Sequence, residues 1–214
     1  MLLLRNARYL SRDLLEGFLR PGDAAVDATA GNGHDTLALC QAVGPAGRVF
    51  AFDIQQDALD ATRALLAENH VLDERVRLIL DSHANLERHV DRPVRCVLFN
   101  LGWLPTGDHR LTTRTPSTLA AVGAALRLLA PGGALSICCY PGHEEGAREL
   151  AALRDLAAGL DIRQFNALEA RFANQREDSP KLFLIQRAPS FPRCGMGMLK
   201  NHDVSKSGRI EMET

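Results

Sequence analysis

Three short polar runs, each directly after an apolar run, carry residue types suited to one ligand. Asp27-Ala28-Thr29-Ala30-Gly31-Asn32-Gly33-His34-Asp35 joins an acid to a glycine-rich turn. Small residues and glycines let a ligand approach the backbone, where a following helix offers free N–H groups. The third glycine of a dinucleotide fingerprint would fall at Thr36, which disfavours hydride transfer. Asp53 follows Phe50-Ala51-Phe52, 20 residues after Gly33, and a carboxylate there can accept both hydrogens of a ribose diol. Gln55 can reach the same hydroxyls or the adenine edge. Asp81-Ser82-His83 can meet the adenine amino group and ring nitrogens. Singly these runs also read as a tight turn, a helix cap and a plain turn. Together they describe an adenosine site, and the chain lacks the Gly-x-x-x-x-Gly-Lys-Ser/Thr phosphate loop. An adenosyl cofactor whose far end meets a small-residue turn is best matched by S-adenosylmethionine. Asp27 would then meet the methionine amine or hold the turn through backbone N–H groups, and either role needs an ionised carboxylate.

A fourth run supplies the reacting end. In Phe99-Asn100-Leu101-Gly102-Trp103-Leu104-Pro105 the Asn100 amide oxygen and a backbone carbonyl can accept hydrogen bonds from a substrate amine. They would aim its lone pair at a sulfonium methyl while Trp103 packs over a planar substrate. The spacing resembles the Asn-Pro-Pro-Tyr loop of amino-directed nucleic-acid methyltransferases, without its prolines; Trp103 equally suits a core anchor. The polar stretch Thr106–Pro116, with Asp108, His109, Arg110 and Arg114, suits a lid, a phosphate contact or a solvated loop. Tyr140-Pro141-Gly142-His143 brings Tyr140 and His143 forward as groups that touch the acceptor or remove its proton, although a His opening a helix is often only a surface group.

Positioning these runs at one edge requires strands alternating with helices. The periodicity predicts helices over Ala7–Leu19, from His34 to Val43, and over Ala58–Asn69, Thr118–Leu129 and Glu144–Ala158. Strands are expected at Ala24–Asp27, Val49–Phe52, Val76–Leu80, Val94–Phe99 and Ala134–Tyr140, the last after a Pro131-Gly132-Gly133 stop. Ile162–Leu168 and Leu182–Ile185 follow without an intervening helix, as an antiparallel pair. Strands apolar nearly throughout belong to a parallel sheet covered on both faces. Residues 1–187 read as a single domain and 188–214 as a flexible or loosely docked tail.

The composition narrows the partners. Of 214 residues 46% are apolar and 24% charged, with 25 Lys+Arg against 26 Asp+Glu for a formal charge of −1. That excludes a wholly disordered chain and disfavours non-specific coating of nucleic acid. No apolar run reaches the roughly 18 residues of a membrane span. Five cysteines without zinc-ligand spacing point to reduced, buried thiols in the cytoplasm and to no metal. The oligomeric state stays open, a homodimer included.

On the runs DATAGNGHD (Asp27–Asp35), FDIQ (Phe52–Gln55), DSH (Asp81–His83) and FNLGWLP (Phe99–Pro105), extended by Gly107-Asp108, Ser117-Thr118-Leu119 and Tyr140–His143, the chain resembles a group of class I S-adenosylmethionine-dependent methyltransferases. That group is labelled rRNA methylases and includes the tRNA 5-(aminomethyl)-2-thiouridine methyltransferases. The resemblance spans Arg5 to Arg187. It implies a Rossmann-like α/β fold: a seven-stranded, mostly parallel sheet with an antiparallel last strand and helices on both faces. By motif, Asn32 and His34 would contact the methionine part, Asp53 and Gln55 the ribose, and Ser82 and His83 the adenine side. The acceptor it implies is the aminomethyl nitrogen of a tRNA wobble uridine, so the anticodon region of tRNA is the expected partner. Other RNA, a small-molecule amine, or adenosine binding without catalysis are the alternatives. Trp103 stands where the family is expected to carry Tyr, which keeps stacking but loses a hydroxyl.

Overall fold

A computed structural model describes residues 5–102 and 112–189. Helix α1 (Ala7–Phe18) starts where the Asn6 side chain accepts a hydrogen bond from the Tyr9 amide. It ends at a turn through Gly22, whose φ of 92° lies in the left-handed region. Strand β1 (Ala24–Asp27) and α2 (His34–Val43) flank the glycine-rich turn, and β2 (Arg48–Asp53) leads into α3 (Gln56–Glu68). After β3 (Val76–Leu80) comes a 3₁₀ turn (His83–Asn85) running into the four-residue α4 (Leu86–His89). Then follow β4 (Val94–Asn100), α5 (Thr115–Leu128), β5 (Leu129–Cys139), α6 (Glu144–Ala158), β6 (Phe165–Ala170) and β7 (Lys181–Arg187).

The strands form one sheet in the order β3-β2-β1-β4-β5-β7-β6. Pairs among β1 to β5 are parallel, and β7 runs antiparallel to both β5 and β6. Alternation along each strand splits the core in two. Val26, Phe50, Phe52, Val97 and Phe99 face α4, α5 and α6, whereas Ala25, Val49, Cys96 and Leu98 face α1, α2 and α3. Both sides of each central strand are therefore covered, which is why these strands read as unbroken apolar runs.

Two expectations shift. Pro131-Gly132-Gly133 lies inside β5 as a bulge, with Gly132 at φ 73° and the register to β4 broken between Val94 and Cys96. A bulge and a helix stop draw on the same residues, and only the pairing with β4 separates them. The sixth strand begins at Phe165 because a turn at Asp161, which accepts the amides of Gln164 and Phe165, occupies the preceding residues. The turn and helix after β3 have too little periodic sequence to be legible. Cys40, Cys96, Cys138 and Cys139 are free and buried. Burial pushes the Cys40, Cys138 and Cys139 thiols up to about 12. Among the described residues no helix is long and apolar enough to cross a membrane. Residues 190–214 of the expected tail lie outside the described residues.

Candidate active site

The C-terminal ends of β1 to β5 meet along one sheet edge, where open α/β sheets bind ligands. Gly31 and Gly33 both adopt left-handed backbone, with φ of 53° and 81°. A Cβ on Gly33 would sit 2.7 Å from the Thr62 Cα of α3, so α3 packs directly on the turn. His34 is the first residue of α2 and exposed, and Asn32 is half-buried.

Asp53 ties the turn to β2: its carboxylate accepts the Gly31 amide at 2.9 Å and the Gln55 amide at 2.9 Å. Each oxygen retains a lone pair for a diol. Beside it in the chain Ile54 is 57% exposed, and Leu80, the register partner of Asp53 on β3, is 54% exposed. Two exposed aliphatic side chains around a carboxylate at the strand ends suit an adenosine, which has an apolar ring face and a polar ribose edge. The residues present therefore fit the cofactor that the sequence implies.

Asp27 is fully buried. It accepts the Thr29 amide at 3.1 Å and the Thr36 hydroxyl at 2.7 Å, so of its two expected roles the geometry takes the holding of the turn. Burial, and then the nearby Asp35 carboxylate, raise its pKa to about 7. The acid thus binds its proton more tightly in the folded than in the unfolded chain, where a carboxyl titrates near 4, and stability falls as pH rises from about 4 to about 7. Asp27→Asn removes this loss. Its melting temperature relative to the parent should climb across that window, by a nominal 3–4 kcal/mol of stability, and level off above it. A gap constant from pH 4.5 to 8 would refute the assignment.

The Asp81 run is only partly available to a ligand. Asp81 accepts His89 Nε2 at 2.7 Å, Asn85 Nδ2 at 2.8 Å and the Ser82 amide at 2.7 Å, and the His89 and Asn85 bonds hold it below the usual carboxylate range. Ser82 caps the 3₁₀ turn through the Ala84 amide. The His83 ring is buried, bonded to the Ala28 backbone and edge-on to Phe99 at 5.7 Å. Burial lowers its pKa. That ring packs against the core at the strand end, and its Nε2 has no hydrogen-bond partner among the described residues.

At the end of β4 Asn100 is fixed at both its amides: its backbone N donates to Thr29 Oγ1 at 2.7 Å and its side-chain Nδ2 donates to Asp35 Oδ2 at 2.7 Å. The same Asp35 oxygen takes Arg8 Nε at 3.1 Å. A carboxylate only accepts, so it fixes which end of the Asn100 amide faces it and turns Oδ1 away. Arg8 is carried by α1, which the buried Ser11–Ser136 hydroxyl pair, 2.6 Å apart, docks on β5. Asp35 and Arg8 were not singled out as site residues. Their partners lie 65 and 27 positions away, and only the acid in the first turn of a helix was visible.

Tyr140 closes the edge at β5, near Arg8. Burial raises its phenol to about 12. His143 caps α6, with Nδ1 accepting the Gly146 amide at 3.2 Å. Trp103, Asp108, His109 and Arg110 lie outside the described residues. The chain on either side of them is joined: Gly102 N donates to Thr113 Oγ1 at 2.9 Å, and Thr113 N to Gly102 O at 3.0 Å. The buried Glu149, which no local motif marks, takes Thr113 Oγ1 at 3.0 Å and Thr118 Oγ1 at 2.6 Å.

This sheet order, with a lone reversed strand and a glycine-rich turn facing an acid on β2, is the architecture of class I S-adenosylmethionine-dependent methyltransferases. A family model described as "Putative rRNA methylase" matches residues 49–186. A chloroplastic tRNA (mnm5s2U34)-methyltransferase of Arabidopsis thaliana is 34% identical over 86% of this chain and 70% of its own. A solved "putative rRNA-methylase" of Clostridium thermocellum superposes with a TM-score of 0.84 at 39% identity, over 87% of this chain and all of that one. A Streptococcus mutans "putative methyltransferase", solved in complex with SAH, gives a TM-score of 0.77 at 34% identity, over 87% and 99%. The chain belongs to the rRNA methylase family.

Proposed function

We propose that this chain methylates an RNA amine, the aminomethyl nitrogen of 5-aminomethyl-2-thiouridine at the tRNA wobble position. The observation that carries the reading is Asn100, whose amide N–H is held on Asp35 so that its oxygen is left to accept from an amine. The identity with a tRNA wobble methyltransferase supports the acceptor. S-adenosylmethionine, when bound, supplies an electrophilic methyl on a cationic sulfur. Asp53 and Gln55 hold its ribose, the turn from Gly31 to His34 its methionine part, and Asp81 with Ser82 lie on the adenine side. Asn100 orients the amine in its neutral form, because an uncharged amide stabilises an ammonium less than a carboxylate would. Tyr140 donates a hydrogen bond at the same edge, and Trp103 stacks on the base. Buried reduced thiols suit a reducing, cytoplasmic setting.

Mass spectrometry of tRNA nucleosides tests the acceptor. Cells lacking the protein should accumulate 5-aminomethyl-2-thiouridine and lose its methylated form. Unchanged wobble uridines would overturn the reading. A small-molecule amine is the second reading, favoured by the formal charge of −1, since an RNA-binding chain needs a basic face somewhere.

A further inference from the structure

At the opposite edge of the sheet the starts of β1, β2 and β4 surround a recess of about 530 Å³. Small side chains, Ala24 and Ala130 among them, leave it room. Four guanidiniums, Arg20, Arg48, Arg92 and Arg95, line it against one carboxylate, Asp23. Arg95 lies over the Phe18 ring at 4.2 Å, which orients its plane without using its N–H groups. Arg48 donates to the Glu74 carbonyl, and Arg92 pairs with exposed Asp91 at 2.8 Å. Asp23 already accepts the Arg20 amide at 2.9 Å. Even counting Asp91, cations outnumber carboxylates four to two in a chain of net charge −1. One arginine per helix C-terminus would answer the helix dipoles; four around a single concavity concentrate donors as phosphate recognition requires.

The chemistry is phosphate, and the distance selects its source. Arg48 and Asp53 open and close β2, five residue steps apart, which is about 17 Å at 3.3 Å per residue. A small acceptor methylated beside Asn100 cannot reach that far. A nucleic-acid stem, with a phosphate roughly every 3.4 Å along each strand, can. Building on the RNA acceptor proposed above, we infer that this recess grips the phosphate backbone of the acceptor RNA at a distance from the methylated base.

The test measures tRNA binding by the full chain with S-adenosylhomocysteine present, from 50 to 200 mM salt. Arg20→Gln combined with Arg92→Gln changes two exposed side chains and leaves Arg48 and Arg95 in place. The dissociation constant should rise about tenfold and the log–log salt slope fall by roughly 1.4 to 1.8, as for two lost phosphate contacts. Cofactor affinity, melting temperature and turnover at saturating tRNA should match the parent. Arg20→Lys with Arg92→Lys should restore most of the slope, because lysine keeps the point charge. An unchanged slope overturns the inference. So does inorganic phosphate binding that the Gln variant abolishes while RNA binding stays parental, which would mark a site for a free anion. A parent that methylates no tRNA removes the acceptor reading and this inference together; a parent that does, with equal slopes, removes the recess alone.

Discussion

Asn100→Ala should lower single-turnover methyl transfer roughly 100-fold or more while leaving the dissociation constant of S-adenosylmethionine near the parental value, because only acceptor orientation is lost. Asn100 stands at the end of β4; its backbone N–H bonds Thr29, and its side chain makes one fixed bond, from Nδ2 to Asp35. Its free oxygen is the group left to touch an acceptor. Truncation removes that oxygen and one bond to Asp35, which keeps its ion pair with Arg8. Methyl transfer at near-parental rate, measured with excess enzyme over tRNA, would show that the amine is oriented elsewhere.

Asp35→Asn should reduce turnover by roughly 10- to 100-fold, through Asn100. Asp35 is buried and its Oδ2 takes both Asn100 Nδ2 and Arg8 Nε. An amide in its place offers the same shape but can also donate, so it no longer dictates the Asn100 orientation and no longer balances Arg8. The pair is strong but not fully desolvated: the Arg8 side chain is 42% exposed, so a moderate loss of stability is expected in place of the several kcal/mol of a dry broken pair. A double-mutant cycle separates positioning from general damage. In an Asn100→Ala background, Asp35→Asn should cost little further turnover, since the group it positions is gone. Additive losses would make Asp35 structural only.

The sheet and the positions of its strand ends follow from the local pattern of the chain. Apolar runs such as Val49–Phe52 sit between helices with 3.6-residue periodicity, and runs buried on both faces have few solutions other than a parallel sheet. The glycines of the turn, Asp53 after β2 and Asn100 after β4 were legible because strand ends are fixed by the same pattern that defines the strands. How each side chain is used depends on its surroundings as well. His83 falls in a polar triplet yet its ring packs against Phe99, since one residue of a short turn has to cover the core below it. Asp27 reads as a charged ligand group, but full burial beside Asp35 takes its pKa to about 7. Which distant residues share one atom or one cavity is set by the three-dimensional packing. Arg8, Asp35 and Asn100 come from α1, α2 and β4; at the far edge Arg20 and Arg92 come from the connections before β1 and β4, and Arg48 and Arg95 from the starts of β2 and β4. Periodicity encodes the face a residue takes within its own element. Contacts between elements follow from strand order and helix docking, which no local spacing records.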